Sequence, residues 1–340
     1  MGRSDSLSST HMSEKTALLL INTGSPDAPS AGAVRRYLAE FLSDPRVVEL
    51  PRWQWWPILH GIVLRVRPAK SAERYGLVWT PEGSPLVVHT KALASALAEV
   101  LADVNVTTFV GMCYGSGTVD EALAEIDRQG FERLVVLPLF PQQTSQTTAA
   151  SVDLVFRHYL KARRLPHLSV IASYGRDEAY LAAVEQSVRA HWRLHCAAHE
   201  AGGLTLFSFH GVPAKEGEAY ARECRETAVA LAARLGLREG EWTMAYQSRF
   251  GRDEWLQPYC EPTVRARARA GLARLDVVCP GFACDCLETL EEIGDELRRA
   301  YLESCPEGVG GVFHYIPCLN AAPSAVALYE RLVRRVLPGA

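Results

Sequence analysis

Long apolar runs are missing from this 340-residue chain. No stretch approaches the ~20 residues that a membrane-crossing helix needs, so a spanning protein is not expected. Charge of one sign is also lacking: 36 Lys and Arg stand against 39 Asp and Glu, a net charge of -3. That leaves no basic footprint for nucleic acid. No Gly-x-Gly-x-x-Gly follows the first strand candidate, which argues against a nicotinamide dehydrogenase. The nine cysteines include no Cys-x-x-Cys pair, and no secretory signal is legible. A reducing cytoplasm is therefore expected rather than a disulfide framework, with a peripheral position at the inner membrane surface as the one extension. Met1 to His11 are polar and weakly patterned, as in an expression-vector remnant, and are set aside from the fold.

With 48% hydrophobic residues the chain can bury a substantial core. Eight apolar runs read as buried parallel strands alternating with helical patterns. The first four are Ala17–Asn22, Val106–Met112, Arg133–Phe140 and Leu168–Tyr174; the second four are Leu204–His210, Thr243–Gln247, Leu275–Cys279 and Val312–Ile316. Helices are expected over Ala31–Phe41, Thr90–Leu101, Val119–Arg128, Tyr180–His195, Tyr220–Leu235 and Tyr259–Ala270. The fold class is α/β, with two similar domains, 12–180 and 181–320. Each is expected to hold a four-stranded parallel sheet flanked by helices. A final helix within 321–340 is expected to dock back on the body. Residues 51–75 break the rhythm with Trp53, Trp55, Trp56, Ile58, Leu59, Ile62, Val63 and Leu64 beside Arg65, Arg67, Lys70 and Arg74. This is either a hydrophobic lip over a pocket or at a membrane surface, or a cover for the domain interface.

The densest chemistry lies in Cys279-Pro-Gly-Phe-Ala-Cys-Asp-Cys-Leu-Glu-Thr-Leu-Glu-Glu-Ile293. Here a strand passes through a tight turn into an acidic helix. Glu288, Glu292 and Glu296 recur every fourth residue and so stack on one helical face. The helix dipole favours acids only in the first turn, so it does not account for the later two. A solvated helix face is the bland alternative. Upstream, His210 ends a buried strand, the place where parallel α/β sheets put their chemistry. A histidine facing a row of carboxylates can move protons, hold a hard or borderline cation, or do both.

These features together resemble the ferrochelatases, enzymes that insert ferrous iron into protoporphyrin IX to make protohaem. The resemblance runs from about Lys15 to Leu332 and is closest to the forms of Gram-negative bacteria. It rests on Ile21-Asn-Thr-Gly-Ser-Pro26, Tyr37-Leu-Ala-Glu-Phe-Leu-Ser-Asp44, Gly83-Ser-Pro-Leu86, Tyr114-Gly-Ser116 and Leu137-Pro-Leu-Phe-Pro-Gln142. Further markers are Ser208-Phe-His-Gly-Val-Pro213, Tyr246-Gln-Ser-Arg-Phe-Gly251, Trp255-Leu-Gln-Pro258, the Cys279–Ile293 stretch and Ile316-Pro-Cys-Leu-Asn320. It implies two Rossmann-like halves around a porphyrin cleft at the strand carboxyl ends. Protoporphyrin IX and Fe²⁺ are then the substrates, and no cofactor is required.

By the same resemblance His210 and Glu288 are the catalytic pair. His210, Glu288, Glu292 and Glu296 are the metal-handling residues. Asn22, Thr23, Arg157, Gln247, Ser248 and Phe282 contact the porphyrin, Arg157 through a propionate. Insertion releases two pyrrole protons, so a base must face the macrocycle. Several relatives carry a second histidine where this chain has Cys286, so a two-histidine mechanism does not apply in full. Some relatives bind a [2Fe-2S] cluster. Cys260, Cys284, Cys286 and Cys318, with Cys279 or Cys224 in reserve, are the candidate ligands here, although the chain has no cysteine-rich tail. Buried small hydrophobes are the favoured reading of these cysteines. The alternatives are a chelatase for coproporphyrin III or another tetrapyrrole, and a haem carrier or sensor without turnover.

Overall fold

The computed structural model describes residues 15–249, 251, 253–308 and 310–338. The Met1–His11 segment lies outside the described residues. Parallel strands are covered on both faces, so they read as unbroken apolar runs, and all eight runs form strands. The first half holds β1 (Thr16–Ser25), α1 (Ala31–Phe41), α2 (Arg52–Ile58), α3 (Leu64–Val78), α4 (Pro85–Val100), β2 (Val106–Gly115), α5 (Val119–Gln129), β3 (Arg133–Pro138), α6 (Ala150–Tyr159) and β4 (His167–Val170). The second holds α7 (Glu178–His195), β5 (Leu204–His210), α8 (Glu218–Leu235), β6 (Trp242–Gln247), α9 (Cys260–Arg269), β7 (Arg274–Val278), α10 (Arg298–Ser304), β8 (Val312–Ile316) and α11 (Pro323–Arg334).

The two sheets share one permutation, β2-β1-β3-β4 and β6-β5-β7-β8, and every pairing is parallel. β1 and β5 are therefore equivalent inner strands. Their side chains alternate between two cores, as the two-residue period of a strand requires. Leu18 and Leu20 of β1, together with Phe207 and Phe209 of β5, enter one core that both halves share. Tyr180 and Val188 of α7, Leu231 of α8 and Tyr329 of α11 fill it. Ala17, Leu19 and Ile21 point the other way, toward Val119, Leu123 and Ile126 of α5 and Val155 of α6. Leu204 and Leu206 likewise face an outer core with Val264, Ile293 and Tyr301. Burying each large side chain contributes about 1.5–3 kcal/mol. α11 also ties the halves together at its carboxyl end: Arg334 pairs with Asp103 at 2.8 Å, and the next residue, Arg335, pairs with Asp177.

Three local departures from the sequence expectation have plain causes. The runs ending at Phe140 and Tyr174 leave their sheets at Pro138 and Val170. Tyr174 and Gly175 instead donate to the carbonyl of Pro141, at 3.0 and 2.7 Å. Residues 51–75 are helical: α2 and α3 are joined through a π-helical turn, Leu59–Val63, despite Pro57 and Pro68. The acidic segment Glu288–Leu297 is a π-helix rather than an α-helix. Its i→i+5 bonding widens the turn beyond four residues, so Glu288, Glu292 and Glu296 keep a straighter line than about 3.6 residues per turn allows.

Candidate active site

The carboxyl ends of both sheets open into one cleft of about 880 Å³. Asn22, Thr23, Gln247, Ser248, Phe282, His210, Glu288, Glu292 and Glu296 all line it. The two halves contribute differently. From the first half come Tyr37, Leu38, Phe41, Val47, Val48, Tyr75 and Leu86, a largely apolar and aromatic wall. The second half brings the histidine and the carboxylates.

β1 reaches the cleft at Asn22, whose Nδ2 donates to Thr90 Oγ1 at 3.1 Å and whose Oδ1 accepts from the Thr23 N–H at 2.9 Å. Gly24 follows at φ +98°, with Tyr114 O only 2.0 Å from where a Cβ would stand, so only glycine fits. The equivalent strand β5 reaches the cleft at His210. Its Nδ1 lies 2.6 Å from the carbonyl of Gly211. That contact places the hydrogen on Nδ1 and leaves Nε2 as the basic nitrogen of the neutral ring. Phe282 stands 6.4 Å from the imidazole, centroid to centroid.

Beside His210, β6 ends at Gln247 and Ser248. Gln247 Nε2 donates to the Glu288 carbonyl at 2.7 Å, and its Oε1 accepts from Ser208 Oγ at 2.6 Å. Ser248 sits at φ +66°, a left-handed conformation that costs a serine roughly 1 kcal/mol. Its reward is direct: the Ser248 N–H donates to Glu292 Oε1 at 2.6 Å, and Oγ holds the other oxygen. Burial raises the Glu292 carboxyl above the usual range, against the pull of Ser248 and His210, while Glu288 adds to the rise. Glu292 is therefore held in place yet takes up a proton more readily than a surface glutamate.

The outer end of the line is capped. Arg74 of α3 donates Nε to the buried Glu291 at 2.7 Å and Nη2 to Glu296 at 2.8 Å. Burial raises the Glu296 carboxyl while Arg74 opposes the rise. Glu288, at the inner end, faces aromatic hydroxyls. Burial lifts the phenols of Tyr37 and Tyr75 well above their ordinary value, and Glu288 adds to each. The turn before the π-helix hangs on Asp285. This buried carboxylate accepts from Asn320 Nδ2 at 2.7 Å, Thr289 Oγ1 at 3.1 Å, the Cys318 N–H at 3.2 Å and the Tyr315 hydroxyl.

Arg157 is the expected porphyrin contact that the structure leaves outside. It is an exposed residue of α6 and is absent from the cleft lining. Its guanidinium is taken by the Asp153 carbonyl at 3.2 Å and lies 4.0 Å from Asp44. Among the described residues the candidate cluster cysteines do not form a metal-holding group of three. Three of them have a local partner instead, Ser208 for Cys260 at 3.2 Å, Thr90 for Cys284 at 4.0 Å and Tyr315 for Cys318 at 3.4 Å. Burial pushes Cys260 and Cys284 up to about 12, and Cys286 and Cys318 well above the ordinary thiol value. That disfavours the thiolate a cluster would need. Sequence reasoning missed Tyr37 and Tyr75 as wall residues and Arg74 as the cap. Tyr37 lay inside a quoted motif and Arg74 inside the basic run, but neither position carries a chemical signature of its own.

Comparison with known proteins bears on the family and the fold. The family model described as Ferrochelatase matches residues 15–337. The chain is 46% identical to the ferrochelatase of Aromatoleum aromaticum over 328 residues, covering 94% of this chain and 87% of that protein. It is 47% identical to that of Polaromonas sp. over 329 residues, covering 95% and 88%. Among solved structures, SirB from Bacillus subtilis with Fe³⁺ superposes with a TM-score of 0.55 at 11% identity, over 95% of this chain and 96% of that one. The sirohydrochlorin chelatase SirB in complex with cobalt gives 0.53 at 12%, over 95% of each chain. At such identities the structural likeness speaks for the fold. The sequence matches speak for the family, and the chain belongs to the ferrochelatases.

Proposed function

We propose that this protein inserts Fe²⁺ into protoporphyrin IX, giving protohaem and two protons. The observation that carries the reading is one cleft lined both by His210, with its Nδ1 on the Gly211 carbonyl, and by the Glu288–Glu292–Glu296 line beside it. The porphyrin lies against the aromatic wall of the first half, with Asn22, Thr23, Gln247, Ser248 and Phe282 at its edges. His210 Nε2 accepts one pyrrole proton, and Glu288 completes the two-proton balance. Glu292, with its raised carboxyl, passes protons outward toward Glu296 and offers oxygen to the incoming cation. Walls that fit a bent macrocycle better than a flat one would lower the barrier.

Substrate choice follows from the lining. The wall is apolar, and two of the cleft arginines are already committed: Arg74 to Glu291 and Glu296, Arg265 to Glu261. This favours the dicarboxylate protoporphyrin IX over the tetracarboxylate coproporphyrin III. The lip extends the same preference. Trp55 is buried, with its indole N–H on the Leu42 carbonyl at 2.7 Å. Trp53, Ile62 and Val66 are 76%, 60% and 68% exposed beside the exposed Arg65 and Lys70. No helix of the described residues is long and apolar enough to cross a membrane. The lip suits contact with an anionic bilayer surface, where an apolar porphyrin is available.

The test is an anaerobic optical titration of the purified protein with protoporphyrin IX and Fe²⁺. Conversion of the free-base bands to those of haem over many turnovers, faster than with coproporphyrin III, is the expected result. Binding without turnover would indicate a haem carrier instead.

A further inference from the structure

A second cluster of metal-ligating side chains lies outside the cleft and shares none of its lining residues. α7 carries His191 and His195, four residues apart and so on one helical face. β8 brings His314 against them. The three imidazoles form a closed triangle, with ring centroids 4.5 Å apart for His191–His195, 5.0 Å for His191–His314 and 4.8 Å for His195–His314. Asp276 of β7, fully buried, lies next to them with Oδ1 3.3 Å from His314 Nδ1. One ligand atom each from His191, Asp276 and His314 falls within 4.8 Å of the others.

Part of this cluster is an ordinary buried ion-pair network. Arg274 donates Nε to Asp276 Oδ1 at 3.0 Å and Nη2 to Oδ2 at 3.2 Å, and Trp192 Nε1 adds a bond to Oδ2 at 2.9 Å. Arg274 Nη2 also reaches His314 Nδ1 at 3.2 Å, and the guanidinium holds the carbonyls of His195 and Cys196. What that network leaves unexplained is His191. Its Nε2 is buried and has no hydrogen-bond partner among the described residues. An unmet imidazole nitrogen is costly, and native interiors rarely leave one. Burial moreover holds the rings of His191 and His314 in the neutral form, His191 down to about 4, although Asp276 pulls the other way. Neutral imidazole is the form that ligates. Two histidines on one helical face, a third from a neighbouring strand and a carboxylate fixed by outer hydrogen bonds make the donor set of a borderline divalent ion.

We propose that His191, His314 and Asp276, completed by His195, form a second divalent-cation site, of the kind that takes Zn²⁺ or Co²⁺, separate from the cleft. The ion would satisfy His191 and clamp α7 to β7 and β8. It would share Asp276 with Arg274 rather than replace it, since Oδ1 carries a single donor from the arginine.

The test uses the full chain stripped with chelator and titrated with Co²⁺ and then Zn²⁺ alone, without porphyrin. Glu288→Gln is the background, so that any cleft ion is weakened. The Glu288→Gln variant should take up one ion with the visible absorption bands of a nitrogen- and oxygen-ligated Co²⁺, and wild type should show the same bands. Zn²⁺ should displace it and raise the melting temperature. His191→Ala should weaken this uptake at least tenfold and abolish the bands. His195→Ala, at an exposed position that does not threaten folding, should weaken it several-fold. With Glu288 intact, haem formation by His191→Ala or by His195→Ala should match wild type. Equal uptake and equal spectra with and without His191 and His195, or no ion bound outside the cleft at ~100 µM, would overturn the proposal.

Discussion

The two halves of this molecule are built on the same sheet permutation, yet they carry opposite kinds of residue into the cleft. β1 and β5 occupy equivalent places. One delivers Asn22 and Thr23, hydrogen-bonded and uncharged; the other delivers His210, an imidazole held through Nδ1 on the Gly211 carbonyl. The excursion also differs. After β1 the chain inserts α2, the π-helical turn and α3, which make an aromatic wall and an exposed lip. After β7 it inserts the π-helix with its line of carboxylates. A repeated scaffold thus gives two strand ends facing one space, and the division of labour lies in what each end carries.

Substitution can break that division. The largest effect is expected from His210→Ala, a loss of about 10²–10⁴ in turnover with porphyrin binding retained, read by anaerobic haem formation and by porphyrin fluorescence. Asn22→Ala, at the equivalent strand end, should cost less than about tenfold and act mainly on KM; a loss as large as that of His210 would erase the contrast between the halves. Glu288→Gln should fall near the His210 variant, about a hundredfold down, because the carbonyl contact to Gln247 survives while the proton acceptor does not. Glu296→Gln should be mild, within about fivefold, since Arg74 already neutralises that position. Smallest is a pH effect on stability at Glu292. Its raised carboxyl binds a proton in the folded state before the unfolded state does. Stability therefore declines as pH rises from the ordinary glutamate value through the raised one. Glu292→Gln should remove that decline, read as a flatter dependence of urea-unfolding stability on pH. An unchanged slope would place the origin elsewhere.

Much of this was legible because burial writes itself plainly. The eight strands are covered on both sides, so their apolar runs stand out, and His210 marks the end of one. Glu288, Glu292 and Glu296 were found by their spacing, which an α-helix and a π-helix both satisfy. The sequence therefore could not tell which helix it was, since that choice depends on packing against Arg74, Ser248 and Asp285. α6, with the π-helical turn Ser145–Ala149 before it, escaped notice because its polar start hides the period. Arg157 stands outside the cleft lining, and its place was hidden for a related reason. A basic residue on a helix fits a propionate as well as it fits Asp44 and the Asp153 carbonyl, and only the helix's rotation decides. The cysteines were visible as a set, while their separate hydroxyl partners were not.

The core between the two sheets has a consequence for how this protein comes apart. Leu18 and Leu20 of one half are covered by the same cluster of side chains that covers Phe207 and Phe209 of the other. Neither half owns that interior, so opening either one strips the apolar cover from both. Unfolding should then be one cooperative transition, with the same midpoint for tryptophan fluorescence from the lip and for helical circular dichroism of the whole. The two strand ends that meet at the rim, β1 at Asn22 and β5 at His210, are thus anchored in one and the same interior.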